Sequence, residues 1–241
     1  MSRGCVIFDF DGVIADTESL HHAVYNATFA AHAADIGGPL EIPRAAYFSR
    51  YIVYGDREGF FHMLRDAGRP TEPALIDRLA AAKHELFTEK LSSFAEPLPG
   101  VRDTLAWLER RNVPRAICSG ARRGEIVDLL DAFGLRHHFD VLVTIEDVTQ
   151  GKPDPQGYNL CFDKLNLEYD AELEKDYSLV IEDSAGGCAA AMGAGLRVLG
   201  VATSLPVEEL KKCSTYAVES LDMLDKDTLA TWLGVKDWGG S

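Results

Sequence analysis

Apolar and polar positions change rhythm twice along this chain. The first run, CVIFDFDGVIADTE, is apolar from Cys5 to Phe8 and is then broken by Asp9 and Asp11. A short apolar run bounded by a turn signal, here Asp11-Gly12, predicts a buried strand that ends at the acids. From Thr17 the rhythm becomes helical. Leu20, Val24, Ala27 and Ala31 fall at helical spacing, and Asp16 or Thr17 stands where a cap is needed. YGDREGFFHMLRDAG predicts a second helix with Phe60, Phe61 and Leu64 inward and Gly68 as its C-terminal cap. EPALIDRLAAAKHELFTEKL predicts a third, with Leu75, Leu79, Leu86 and Leu91 on one broad face.

AEPLPGV interrupts this helical region with two prolines and a glycine. Beyond it, helices predicted near Arg102–Arg111, Glu125–Phe133, Tyr158–Leu165 and Ala185–Ala194 alternate with apolar strands in PRAICSG, FDVLVTIED, YSLVIEDS and LRVLGVAT. STYAVES and DTLATWLG add a last strand and helix. Such alternation predicts an α/β fold with a parallel sheet. The opening strand shares this character. The chain therefore reads as a Rossmann-like core of residues 1–16 and 93–241, with a helical unit, 17–92, inserted after the first strand.

Composition narrows the classes. The 241 residues are 46% hydrophobic and 26% charged, as in an ordinary globular protein. With 24 basic and 38 acidic residues the formal net charge is -14. That field repels nucleic acid and anionic membranes, and a phosphate site would need local Lys, Arg or a bound cation. The five cysteines, at 5, 118, 161, 188 and 213, form no Cys-x-x-Cys pair, which points to a reducing compartment. No apolar run approaches the roughly 20 residues that span a bilayer. No signal-peptide run precedes Asp9. A cytoplasmic protein with neither a nucleic-acid nor a membrane partner is expected, as a monomer or weak dimer.

In open α/β sheets, ligands bind beyond the carboxyl ends of the strands. Four predicted ends carry chemistry: Asp9 and Asp11; Ser119-Gly120; Lys152 in QGKPDP; and Glu182-Asp183-Ser184. Singly, each has a plain explanation as a turn, a strand exit, a proline-stiffened loop or a helix cap. On one rim they form a set of carboxylates, a hydroxyl beside a glycine, and a lysine.

DFDGVIADT, CSGA, GKPDP and EDSAGG resemble the four motifs of the haloacid dehalogenase-like superfamily, over essentially the whole chain. The helical insert directly after the first motif is similar to that of the subgroup containing β-phosphoglucomutase and sugar-phosphate phosphatases. The resemblance implies that Asp9 is the nucleophile and Asp11 the acid and base. It implies that Mg²⁺ is held by Asp9, the backbone carbonyl of Asp11, Asp183 and, directly or through water, Glu182. Ser119 and the Gly120 amide would bind the phosphate, and Lys152 would neutralise it. These residue types suit the chemistry. A carboxylate can take up a phosphoryl group covalently, a second can move protons, and an oxygen-only set suits Mg²⁺. The expected partner is a small phosphorylated metabolite.

The implied reaction is Mg²⁺-dependent hydrolysis of a sugar-like phosphomonoester through an aspartyl-phosphate. A phosphosugar mutase using the same aspartate is the alternative, and a non-catalytic phosphate-ligand-binding protein is a third. A dehalogenase would have no use for Asp11. Substrate contacts are proposed by position for His21, Arg57 and Arg122, each with a plain surface or packing explanation. Asp16 reads as a cap or loop brace, and Asp154 as the cap of a helix starting near Pro155. The phenylalanines of the helical unit read as packing residues. His137-His138, with no third ligand near them, read as loop surface.

Overall fold

The computed structural model describes residues 4–51, 54–91, 97–170 and 172–235. The chain divides into two compact units, Thr17–Ala95 and Met1–Asp16 with Glu96–Ser241. The break proposed at residue 92 from the sequence lies outside the described residues.

The helical unit comprises α1 (Thr17–Ala31), α2 (Arg44–Ala46), α3 (Asp56–Asp66) and α4 (Pro73–Leu91), with a π-helical turn at Tyr47–Tyr51. Three of these helices follow the sequence rhythm, but their inward faces differ from it. In α1 the buried stripe is Leu20, Val24, Tyr25, Thr28 and Phe29; Ala27 is half-buried and Ala31 exposed. Larger side chains one or two positions away remove more apolar surface from water, so they set the rotation of the helix. In α3, Phe60, Met63 and Leu64 are buried while Phe61 is exposed, which corrects the reading of both phenylalanines as packing residues. Gly68 adopts a φ of 65° just beyond α3, as a C-terminal glycine should. In α4 the inward stripe is Leu75, Ile76, Leu79, Lys83 and Phe87, with Leu86 only half-buried. Tyr25 and Phe29 meet Phe60 edge-on, at ring separations of 4.8 and 5.4 Å.

The second unit holds β1 (Val6–Phe8), β2 (Arg115–Cys118), β3 (Val141–Val143), β4 (Leu179–Glu182), β5 (Arg197–Val201) and β6 (Tyr216–Val218). Its helices are α5 (Val101–Arg110), α6 (Arg123–Ala132), α7 (Gln156–Glu168), α8 (Ala185–Gly193), α9 (Val207–Leu210) and α10 (Lys226–Leu233). The strands form one six-stranded sheet of order β3-β2-β1-β4-β5-β6, with every neighbouring pair parallel. This is the α/β parallel fold, with helical insertion after the first strand, that the sequence predicted. The short α9 escaped the sequence because four residues carry no period.

Strands buried on both faces read as continuous apolar runs, which is why VIF and LVIE lack alternation. Ile7 lies opposite Ala116 and Val180, so these residues share one sheet face. Tyr158, Cys161 and Leu165 of α7 and Ala190 and Ala191 of α8 join the same buried cluster. The amphipathic α5 buries Val101, Thr104, Leu105, Trp107 and Leu108 and leaves Glu109 exposed. Strand order reverses direction between β1 and β4, the adjacent pair where a ligand crevice is expected in such sheets.

Leu105 is fully buried. Leu105→Ala is expected to cost about 2–5 kcal/mol of stability, through lost transfer energy and the cavity left behind. Urea denaturation checks this; a loss under about 1 kcal/mol would show that Leu105 is not packed in a closed core.

Candidate active site

The crevice between β1 and β4 is lined by residues just past the strand ends. Asp9 extends β1 by one residue, its N–H donating to the Ile181 carbonyl at 2.9 Å. Ser119 extends β2 in the same way, donating to the Val143 carbonyl at 3.0 Å. Parallel register thus places a carboxylate and a hydroxyl on the same rim. After Asp9 the chain folds back tightly, with Gly12 N–H donating to Ala15 O at 2.8 Å. Gly12 has a φ of 73°, and a Cβ there would lie 1.8 Å from Asp183 Oδ2. Only glycine satisfies both conditions.

Lys152 joins the two strand ends. Its ammonium donates to Asp9 Oδ1 at 2.7 Å and to Glu182 Oε1 at 2.6 Å. Glu182 is wholly buried. It also accepts from Tyr158 Oη at 2.8 Å, and from Asp183 N, Ser184 N and Ser184 Oγ, each at 3.0 Å. A Cβ on Gly187 would lie 1.6 Å from Glu182 Oε1, so a glycine in α8 makes room for this carboxylate. Ser184 meanwhile caps α8, accepting from Gly187 N at 3.1 Å. The cap reading of EDSAGG therefore holds for Ser184.

Burial pushes the Asp9 carboxyl well above its ordinary range; Lys152 opposes the rise, and the Glu182, Asp11 and Asp183 charges add to it. Burial also lifts Asp183, to about 6, against the hydrogen bond from Ser204. For Glu182, burial is outweighed by Lys152 and by its hydrogen bonds, which hold it below the usual value. Burial alone would discharge Lys152, yet Asp9 and Glu182 push its pKa upward. One ammonium thus faces several carboxylates. Asp9, Glu182 and Asp183 each offer an oxygen within 4.8 Å of the others. This all-oxygen, net-negative donor set fits a hard divalent cation such as Mg²⁺.

Asp11 accepts from Ser119 Oγ at 3.4 Å, and Ser119 Oγ accepts from Ala121 N at 3.0 Å. A cleft opens beside Ser119, Gly120 and Lys152, with Thr144, Ile145 and Tyr158 in its wall. Ser204, which donates to Asp183 Oδ2, and Tyr158 were missed in the sequence. The signal for Ser204 was present, since it follows the apolar run of β5 on the same rim. Tyr158 was hidden as an ordinary helical aromatic.

Residues 4–195 match the family model described as haloacid dehalogenase-like hydrolase. The chain belongs to this family. It is 31% identical over 204 residues to the phosphorylated carbohydrates phosphatase of Thermotoga maritima, covering 83% of this chain and 86% of that one. It superposes on a crystal structure described as a putative β-phosphoglucomutase from Thermotoga maritima with a TM-score of 0.76 and 27% identity, covering 97% of this chain and all of that one. CbbY from Rhodobacter sphaeroides in complex with xylulose-(1,5)bisphosphate gives 0.72 and 27%, covering 93% and 96%.

Within this haloacid dehalogenase-like hydrolase, each remaining sequence candidate has its own local setting. Arg122 is exposed at the start of α6. Arg57 on α3 pairs with Asp77 at 2.7 Å, both exposed. Asp154 accepts from Gln156 N at 2.9 Å, beside the start of α7. His137-His138 depart from the surface reading, because His138 is buried and Glu109 lies beside them as a third possible ligand. Among the described residues no helix is long and apolar enough to cross a membrane. All five cysteines are free.

His21 belongs to a polar group around the buried Lys83 in the helical unit. Its ring stacks on Phe87 at 4.4 Å, and Lys83 donates to its Nδ1 at 3.0 Å. Lys83 is 1% exposed, pairs with Asp56 and lies 4.6 Å from the Tyr25 ring centre. Burial, reinforced by Lys83 and opposed by Asp56, lowers the His21 pKa from 6.5 to about 4. The unfolded chain therefore binds this proton first as pH falls. The contribution of neutral His21 is complete above pH 6.5 and is lost progressively down to about pH 4. His21→Gln is expected to flatten the stability profile across that window in urea titrations. An unchanged slope would mean that His21 is not buried neutral.

Proposed function

We propose that the chain is a Mg²⁺-dependent phosphatase of small, sugar-like phosphomonoesters that works through an aspartyl-phosphate on Asp9. The observation that carries this reading is the buried Asp9 carboxylate at the β1 end, held by Lys152 on one oxygen and grouped with Asp183. Lys152 on Oδ1 orients the carboxylate and leaves Oδ2 to attack phosphorus. Ser119 and the Gly120 amide bind the phosphoryl oxygens, while Lys152 offsets their charge. Asp11 gives its proton to the departing alcohol oxygen. It then takes a proton from the water that attacks the phosphoryl group, which releases phosphate and restores Asp9.

Asp9, Asp183 and the Asp11 carbonyl would hold Mg²⁺. The five hydrogen bonds to Glu182 occupy its oxygens, so it would reach the ion through water, and its main task is to brace Lys152. Bound Mg²⁺ supplies positive charge to the phosphoryl oxygens and to the carboxylates around them. Substrate choice is assigned to the helical unit, with His21 and Arg57 as candidates, and to Arg122. Similarity to the phosphorylated carbohydrates phosphatase supports a carbohydrate ester.

The likeness to the putative β-phosphoglucomutase supports a second reading, a phosphosugar mutase. Its core residues have the same roles, and the phosphoryl group passes to another sugar hydroxyl instead of water.

With a sugar-phosphate panel and Mg²⁺, free phosphate is expected to be the main product. Asp9→Asn is expected to lower kcat by at least about 10³-fold without loss of fold, as removal of a nucleophile does. Full turnover by that variant would remove Asp9 from its role. Conversion of a hexose 1-phosphate to the 6-phosphate, with a trace of bisphosphate and little free phosphate, would favour the mutase.

A further inference from the structure

Three donor groups come together away from the strand-end carboxylates. Glu109 lies in the last turn of α5, and His137 and His138 lie in the 3₁₀ turn Arg136–His138 between α6 and β3. Each offers one ligand atom, and these atoms lie within 4.8 Å of one another. We propose that Glu109, His137 and His138 form a second metal site, for a divalent ion of the zinc class.

The buried histidine is the reason. The His138 side chain is 9% exposed, and its Nδ1 faces Glu109 Oε2 at 3.6 Å. Among the described residues that nitrogen has no hydrogen-bond partner. A polar atom left so costs stability unless something binds it. A zinc ion has bonds of about 2.0–2.1 Å to imidazole nitrogen and about 2.0–2.2 Å to carboxylate oxygen. Two ligands on one tetrahedral zinc are therefore roughly 3.3 Å apart, close to the observed 3.6 Å. The second imidazole stands alongside, with ring centres 4.1 Å apart and planes inclined by 37°.

The donor set also selects the metal. Two imidazoles and one carboxylate suit zinc-class ions, whereas Mg²⁺ prefers oxygen alone. The competing arrangement is a direct His138–Glu109 contact, but its 3.6 Å is longer than a hydrogen bond. Arg115 fixes the turn, donating through Nε to the His138 carbonyl at 2.7 Å and through Nη1 to the Val113 carbonyl at 3.0 Å. The ligands would come from a backbone already held in place. Three protein ligands leave a fourth position for water, and the ion would tie the end of α5 to the entry of β3.

Zinc titration calorimetry with Mg²⁺ in large excess tests the site, so that the strand-end carboxylates are already served. A C213S background removes the one partly exposed thiol. Glu109 and His137 are both exposed, so Glu109→Gln and His137→Gln preserve the fold. The parent is expected to bind one zinc, and each substitution to weaken binding at least tenfold, with Mg²⁺-dependent turnover unchanged. The parent loaded with Co²⁺ is expected to show visible d–d absorption that both variants lack. No zinc uptake by the parent, or a smaller loss in either variant, overturns the site.

Discussion

One ammonium group, Lys152 Nζ, ties the strand-end site together. It bonds Asp9 and Glu182 at 2.7 and 2.6 Å, and so fixes two acids that belong to different strands. Buried charges are costly unless paired and hydrogen-bonded, and removing one partner is worse than never having the pair. Much of the neighbourhood serves this condition. Tyr158 and the Ser184 hydroxyl and amide hold Glu182, Glu182 holds Lys152, and Lys152 orients Asp9. Gly187 gives Glu182 its space, and Gly12 lets the loop after β1 pass close to Asp183. The charge left over is negative, and it calls for a divalent cation in the chemistry proposed.

Much of this was legible in the sequence because the parallel sheet converts order along the chain into position on a rim. Every apolar run read as a strand is one, and Asp9, Ser119 and Asp183 each fall one residue beyond a strand end. What the sequence could not show was the hydrogen-bond economy behind them. Ser204 and Tyr158 are ordinary residue types whose importance lies only in what they touch. The inward faces of the helices were legible to within one or two positions. Alanine carries too little surface to decide a rotation, so Tyr25 and Phe29 set it in α1 in place of Ala27 and Ala31.

Lysine in a helical stripe was the least legible feature. Lys83 occupies a core position of α4, where spacing alone predicts an apolar residue. It is tolerated because Asp56 pairs with it, His21 accepts from it and Tyr25 presents a ring face. The two units thus each enclose much of a lysine, but under different terms. Lys152 answers several buried carboxylates, whereas the partner of Lys83 is 40% exposed and its other neighbours are neutral rings. His137-His138 show the converse. A pair that looked like surface gained meaning only when folding brought Glu109 beside it.

The central claim is that the carboxylate held by Lys152 takes up the phosphoryl group. The most direct measurement uses Asp11→Asn, in which the second proton transfer is slowed, loaded with a sugar phosphate and Mg²⁺ and quenched in acid. Peptide mapping by mass spectrometry then locates the phosphoryl group. The expected result is a phosphoryl group on the peptide carrying Asp9, at that residue alone. A phosphoryl group on Ser119, or steady turnover with no covalent species at any quench time, would contradict the account.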